Sequence, residues 1–331
     1  MIKRALFGLS PRQASFDVRG FPAASPAVRA RLERVIRSFI EGYNLAWNEP
    51  SESRLVTRLK REFDAHHVGF AFEGAGMRFA LSDLLRLGRG GRLARFTGGV
   101  AAGHDYICTV GAGFAVARIP WRSRVLDAYL TSLDPLVAWC VLDGYGFHEG
   151  FFRPRQYIEA CASPPAFLPP YARALFDAGL GRAIWWVDGA DANRIATTVA
   201  RFPEERRPQL WCGLGTALAY AGGCDIDACT ALTHAAGHDR VHLLSGVPLA
   251  ARMRQKADND SEWTESVCRV LLDQSGEQLG DLVQRTVRET LAELGDVPPD
   301  ELRRVCYARV HRKLVSHVHD FSRIAGSAAP R

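Results

Sequence analysis

The stretch Gly213-Leu-Gly-Thr-Ala-Leu-Ala-Tyr-Ala-Gly-Gly223 decides the fold. Small and apolar residues fill about three turns, and two consecutive glycines then stop the run, which reads as a helix with a glycine terminus. The opening Gly-x-Gly is the unusual feature, because each interior glycine costs a helix roughly 0.5–1 kcal/mol relative to alanine. The same pair stands at Gly74/Gly76, Gly111/Gly113, Gly144/Gly146 and Gly179/Gly181, and Gly246 continues the series as a single glycine. First glycines follow one another at spacings of 37, 33, 35, 34 and 33 residues. Alanine recurs four residues on, at Ala115, Ala183, Ala217 and Ala250, and a phenylalanine falls late in several units, at Phe96, Phe167 and Phe202.

A period near 34 is one helix–turn–helix unit. The expected fold is therefore mostly α: a helical repeat, an α-solenoid of TPR-like units, with capping helices at both ends. Each Gly-x-Gly either lets two helices touch closely or marks a turn, and the spacing alone leaves both open. Pro248 falls where the sixth unit is mid-helix, an unfavourable place for proline. None of the pairs has the third glycine of a dinucleotide fingerprint.

Outside the repeat, Pro26 to Asn44 carries Val28, Leu32, Val35, Ile36, Phe39 and Ile40 on one face and reads as an amphipathic helix. Three more helices are expected over 262–272, 277–294 and 299–321, the last starting at Pro299-Asp300. The organisation expected is a capping segment over 1–65, a repeat core over 66–255, a helical segment over 256–325 and a disordered tail over 326–331.

The 331 residues are 47% apolar and 24% charged, an ordinary globular composition. The net charge of +6 is carried by 38 arginines and four lysines scattered along the chain, without the clustering of a nucleic-acid binder. No stretch of about 18 residues is apolar without a charge, so no membrane span is expected. The start, Met1-Ile-Lys-Arg-Ala-Leu-Phe-Gly8, has no apolar core or cleavage site and is not read as a signal peptide. A cytoplasmic protein is expected, and its eight cysteines, none in a Cys-x-x-Cys pair, read as buried free thiols.

Four groups of residues carry candidate chemistry. Glu73 is a lone carboxylate in Gly69-Phe-Ala-Phe-Glu-Gly-Ala-Gly-Met77, usable as an acid or base if buried; it also fits a helix cap. His104 and Tyr106 flank Asp105 at a helix start, where His104 reads as a general base or a ligand, or else as a surface cap. Asp143 and Glu149 bracket His148 in an aromatic stretch, a way to orient an imidazole. His234, His238 and His242 recur at i, i+4 and i+8, which on one helix would align three rings as weak metal-ligand candidates. There is no nucleophile elbow, P-loop or Cys–His protease signature, and no cofactor is indicated.

Taken in order, these segments resemble the DUF1702 family, the UnbL-like group of enediyne biosynthesis proteins. The resemblance rests on Gly69 to Met77, Gly103-His-Asp-Tyr106 with Val110 to Arg118, Asp143-Gly-Tyr-Gly-Phe-His148, Gly179-Leu-Gly-Arg-Ala-Ile-Trp-Trp186 and Leu210 to Gly223, together with Arg4 to Gly8 and Arg19-Gly-Phe21. It covers roughly residues 1–255. It implies a role in antibiotic (secondary-metabolite) biosynthesis, in turning the linear polyene of an enediyne polyketide synthase into the enediyne core. Implied partners are that polyene, the synthase, its thioesterase or a membrane-bound partner. The competing expectations are a non-catalytic scaffold for the synthase and a metal- or haem-dependent oxidase built on the histidine run.

Overall fold

In the computed structural model, residues 8–85 and 91–327 are described, the side chains as far as Phe321. The described residues form helices and turns, with no strand. The expected N-terminal stretch over residues 1–7 and the tail residues 328–331 lie outside the described residues; 326 and 327, expected in the tail, continue the last helix. No helix is long and apolar enough to cross a membrane among the described residues.

The long helices are α1 (Pro26–Asn48), α3 (Ala65–Leu84), α5 (Asp105–Arg118), α7 (Trp139–Phe152), α8 (Pro170–Val187), α10 (Arg207–Ala221) and α12 (Arg240–Ala257). Between them run the shorter α2 (Glu52–Glu62), α4 (Arg92–Gly98), α6 (Arg122–Thr131), α9 (Ala192–Ala200) and α11 (Ile226–Ala235). After α7 the connection is instead a π-helical turn, Arg155–Glu159. Three helices end the chain: α13 (Glu262–Leu272), α14 (Gly276–Leu294) and α15 (Pro299–Ser327). Side-chain caps start several of them, with Ser25, Ser51, Asp64 and Ser261 each accepting from a backbone N–H in the first turn, and a full capping box at Ser275 and Gln278.

Each of the five Gly-x-Gly pairs of the series sits inside a long helix, not at a turn. Successive residues of an α-helix are about 100° apart, so glycines at i and i+2 face nearly opposite ways. The first glycine of each pair meets the preceding long helix and the second meets the following one. A Cβ on Gly144 would overlap the Val110 carbonyl of α5, and one on Gly146 the Phe176 carbonyl of α8. A Cβ on Gly179 would strike Asp143 O of α7, and one on Gly181 Leu210 O of α10. The relation holds from Gly74, against Phe39 and Tyr43 of α1, to Gly246, against Cys212 and Thr216 of α10. Backbone-to-backbone approach thus replaces side-chain packing along the whole row.

The row is parallel where aromatic contacts allow it to be read. Tyr106 packs on Trp139 near the starts of α5 and α7, Phe114 on Phe147 midway, and the Arg118 guanidinium over Phe152 at their ends. The row also curls. Arg254, 1% exposed at the end of α12, donates to Ala65 O (3.0 Å) and His66 O (3.1 Å) at the start of α3, and to Tyr220 O (2.7 Å) of α10. Lys256 Nζ reaches Asp105 at 2.6 Å. Pro248 lies inside α12, which runs through it from Arg240 to Ala257.

The chain ends cover the interior. Asn44 holds Leu9 by two 2.9 Å hydrogen bonds, and Phe21 packs edge-on to Phe151. On the other side α15 inserts Tyr307 against Trp139, with its hydroxyl donating to Gln209 at 3.0 Å. Seven cysteines are buried and Cys161 half-buried, all as free thiols.

Helix propensity favours Gly→Ala by up to about 1 kcal/mol; the row reverses the sign. Gly179→Ala should destabilise by about 1–3 kcal/mol, as overpacking does, whereas Gly98→Ala, with open space around its Cβ, should leave the melting temperature unchanged or raise it. Thermal unfolding of both variants checks this, and a stabilised Gly179→Ala would refute the close-approach account.

Candidate functional site

Within each repeat the residue before the first glycine and the residue three after it lie four apart, on one helix face. That face points to the interior. Across the row the first position holds Glu73, Val110, Asp143, Ala178, Cys212 and Ser245, and the second holds Met77, Phe114, Phe147, Arg182, Thr216 and Leu249. Most are apolar or neutral. The three charged members, Glu73 on α3, Asp143 on α7 and Arg182 on α8, meet in the core with exposures of 2%, 5% and 7%.

Arg182 donates to Asp143 in a short charge-assisted hydrogen bond and lies 3.7 Å from Glu73. One buried cation therefore faces two carboxylates. Asp143 holds the bonded place, while Glu73 Oε1 has no hydrogen-bond partner. Burial drives the Glu73 carboxyl up to about 7; Arg182 opposes the rise and the Asp143 charge adds to it. Asp143 is also raised by burial, against the pull of Arg182. Glu73 is thus the member that changes protonation near neutral pH, which suits a general acid or base.

Glu73 also lines a cleft whose own enclosed space is about 50 Å³, within a wider concavity of about 520 Å³ that includes open solvent. Its walls are Phe114, Phe147, Phe151, Phe152 and Trp186 on α5, α7 and α8, faced by Ile36 and Phe39 of α1 and by Leu9 of the N-terminal segment. Arg19 and Arg118 are the other charged residues lining it. The cleft is lined mainly by aromatic and aliphatic side chains, with one titrating carboxyl inside.

The remaining candidates lie elsewhere. His148 and Glu149 are behind the cleft wall. His148 stacks on Phe152 (4.5 Å) and meets Phe114 edge-on, and burial lowers its basicity, partly offset by Glu149. Glu149 accepts from Arg153 at 3.0 Å and sits 3.4 Å from His148 Nδ1. Asp143 does not share in orienting His148: five residues apart on a helix they point to different sides, and Asp143 belongs to Arg182. His104 is neither a surface group nor near Glu73's carboxyl; it is buried, stacked on Phe72 at 3.6 Å, and lowered to about 4 by burial and by Lys60. Tyr106 packs between Trp139 and Lys256, its phenol pushed up by burial.

The histidine run is broken. His234 ends α11, His238 lies in the 3-10 turn Gly237–Asp239 and His242 starts α12, with Gly237 at φ +56 between them. Three rings on one helix face are therefore not formed, and no group of three metal-ligating side chains is gathered among the described residues.

Sequence reasoning missed Arg182, Arg19 and Arg118. Arg182 had a signal: it is a lone guanidinium in an apolar helix, and aligning the repeats on their glycines puts it on the same face as Glu73 and Asp143. Arg19 and Arg118 had none, since their meeting depends on how the N-terminal segment folds over α5 and α7.

The family model described as Protein of unknown function (DUF1702) matches residues 1–309. The chain belongs to the DUF1702 family. The match passes the limit near residue 255 expected from the motifs and runs through α13 and α14 into α15, so the C-terminal helices are part of the DUF1702 unit. No curated protein and no solved structure matches.

The raised carboxyl of this DUF1702 chain makes a signed prediction. A proton held more tightly in the folded state stabilises at low pH, and that contribution is lost as pH rises from about 4.5 through about 7. Relative to Glu73→Gln, the wild-type protein should lose a few kcal/mol, several degrees in melting temperature, between pH 5 and pH 8. A difference between the two proteins that stays constant with pH would remove the assignment.

Proposed function

We propose that this protein acts in the cytoplasm, in secondary metabolism, on the linear polyene made by an enediyne-type polyketide synthase, and that Glu73 moves protons on that chain. The single observation carrying the reading is a fully buried carboxyl, poised near pH 7, inside an aromatic slot. A conjugated chain is flat and apolar, and a lining of phenylalanine and tryptophan rings set edge-on or tilted to one another offers it ring faces. The family resemblance to enediyne biosynthesis proteins supports the substrate class. The row of glycine-paired helices joined by shorter ones supports an α-solenoid of TPR-like units of about 34 residues as the framework.

The chemistry is a proton shift. The protonated Glu73 carboxyl gives its proton to one polyene carbon, leaving a cation spread over the conjugated system. The Glu73 carboxylate then takes a proton from another carbon of the chain. Double bonds move, the acid is regenerated, and no electrons are gained or lost overall. Arg182 positions Glu73 and stabilises its carboxylate half of the cycle.

The test is metabolite profiling. The polyketide synthase and thioesterase are expressed without this protein, with the wild type and with Glu73→Gln, whose fold is verified by circular dichroism. Loss of a general acid–base group costs about 10²–10⁴-fold in rate, so Glu73→Gln should give the products seen when the protein is omitted. A Glu73→Gln profile equal to wild type rules out this role; if omission still matters, the protein works as a scaffold.

A further inference from the structure

Two guanidiniums share the mouth of the aromatic cleft. Arg19, from the N-terminal segment, lies 4.3 Å from the Phe152 ring centroid and 4.9 Å from that of Phe151. Arg118, the last residue of α5, lies 5.5 Å from the same Phe152 ring. They come from distant parts of the sequence, yet both line the cleft. Like charges brought together on one apolar ring are unfavourable unless something answers them.

No carboxylate among the described residues does. Arg19 Nε donates to the Gln13 carbonyl at 3.2 Å, and neither arginine forms an ion pair. The nearby carboxylates are engaged: Glu149 with Arg153 at 3.0 Å, and Glu73 beside Arg182. Other arginines of the fold reach acids, as Arg206 does Asp177 at 2.6 Å and Arg303 Asp300 at 3.2 Å, or several backbone carbonyls, as Arg254 does. Burial lowers both Arg19 and Arg118, and the Arg118 charge lowers Arg19 further, so the two cations repel each other. Arg118 keeps solvent contact at the mouth, whereas Glu73 is buried within.

We infer that the cleft is a binding site for a long-chain unsaturated carboxylate, its head group held between Arg19 and Arg118 and its hydrocarbon running inward along the aromatic wall to Glu73. This rests on the reading of the cleft as the chain-binding site. A planar carboxylate matches guanidinium edges with paired hydrogen bonds and relieves the repulsion of the two cations. The polarity of binding follows. The acid end stays at the solvent side, and Glu73 meets carbons well along the chain.

The experiment is a fluorescence titration of the full-length protein with parinaric acid, a conjugated tetraene fatty acid that brightens in apolar sites, and with its methyl ester. The acid should bind at least about 10-fold more tightly than the ester, a charge-assisted preference of about 1.4 kcal/mol. Arg19→Gln and Arg118→Gln should each narrow that ratio and the double variant should abolish it. The ester's affinity should stay unchanged throughout, which also reports that the cleft remains folded. If acid and ester bind equally, the carboxylate clamp is wrong while the chain-binding reading of the cleft survives. If neither probe binds, that reading falls and the clamp falls with it.

Discussion

Two glycines separated by one residue face opposite sides of a helix, and this small fact of helical geometry supports the rest of the molecule. Each pair lets a helix touch its predecessor and its successor backbone to backbone. Interior glycine is costly for an isolated helix, so the chain accepts a local penalty that only the assembled row recovers, through dispersion contacts between backbones. The alanines four residues on, all buried, extend the same close seam by one turn.

Close helix spacing then determines what the interior can hold. With the backbones nearly in contact, inward faces are left for side chains of one register, and those faces are mainly apolar. Three charges on that register come together as Glu73, Asp143 and Arg182. A buried ion pair adds little stability against an apolar replacement, but an extra carboxylate beside it is forced toward protonation. Burial is what brings Glu73 to about 7; the single guanidinium opposes the rise and the second acid, Asp143, adds to it. The cleft walls come from the same helices: Phe114 and Phe147 occupy the register that Arg182 occupies in α8.

Local pattern misled where it ignored helix phase. Asp143, His148 and Glu149 are neighbours in sequence, and proximity suggested one constellation. On α7 Asp143 turns to Arg182, and His148 turns to Phe114 and Phe152. The three histidines near residue 238 fit one helix face only if the helix were continuous. Gly237 adopts a left-handed conformation there and starts a new helix. His104 stands at the N-cap position of α5, the helix start expected of it, but it is buried under the Phe72 ring where a surface cap was expected.

The periodic glycines, the apolar runs and the capping residues are local in sequence, so the mostly helical fold and the near-constant glycine spacing were legible without coordinates, as were the bounds of the terminal helices. Glu73 and Asp143 were legible as carboxylates in apolar helices for the same reason. Their partner was not, because Arg182 meets them across 39 and 109 residues of chain, and nothing in a linear pattern says which inward faces converge. The choice between a turn and a close approach at each Gly-x-Gly likewise waited for the tertiary structure, because only a neighbouring backbone makes a missing Cβ favourable. The meeting of Arg19 with Arg118 belongs wholly to the tertiary level: it exists because the N-terminal segment folds over the ends of α5 and α7, where two like charges find one aromatic ring.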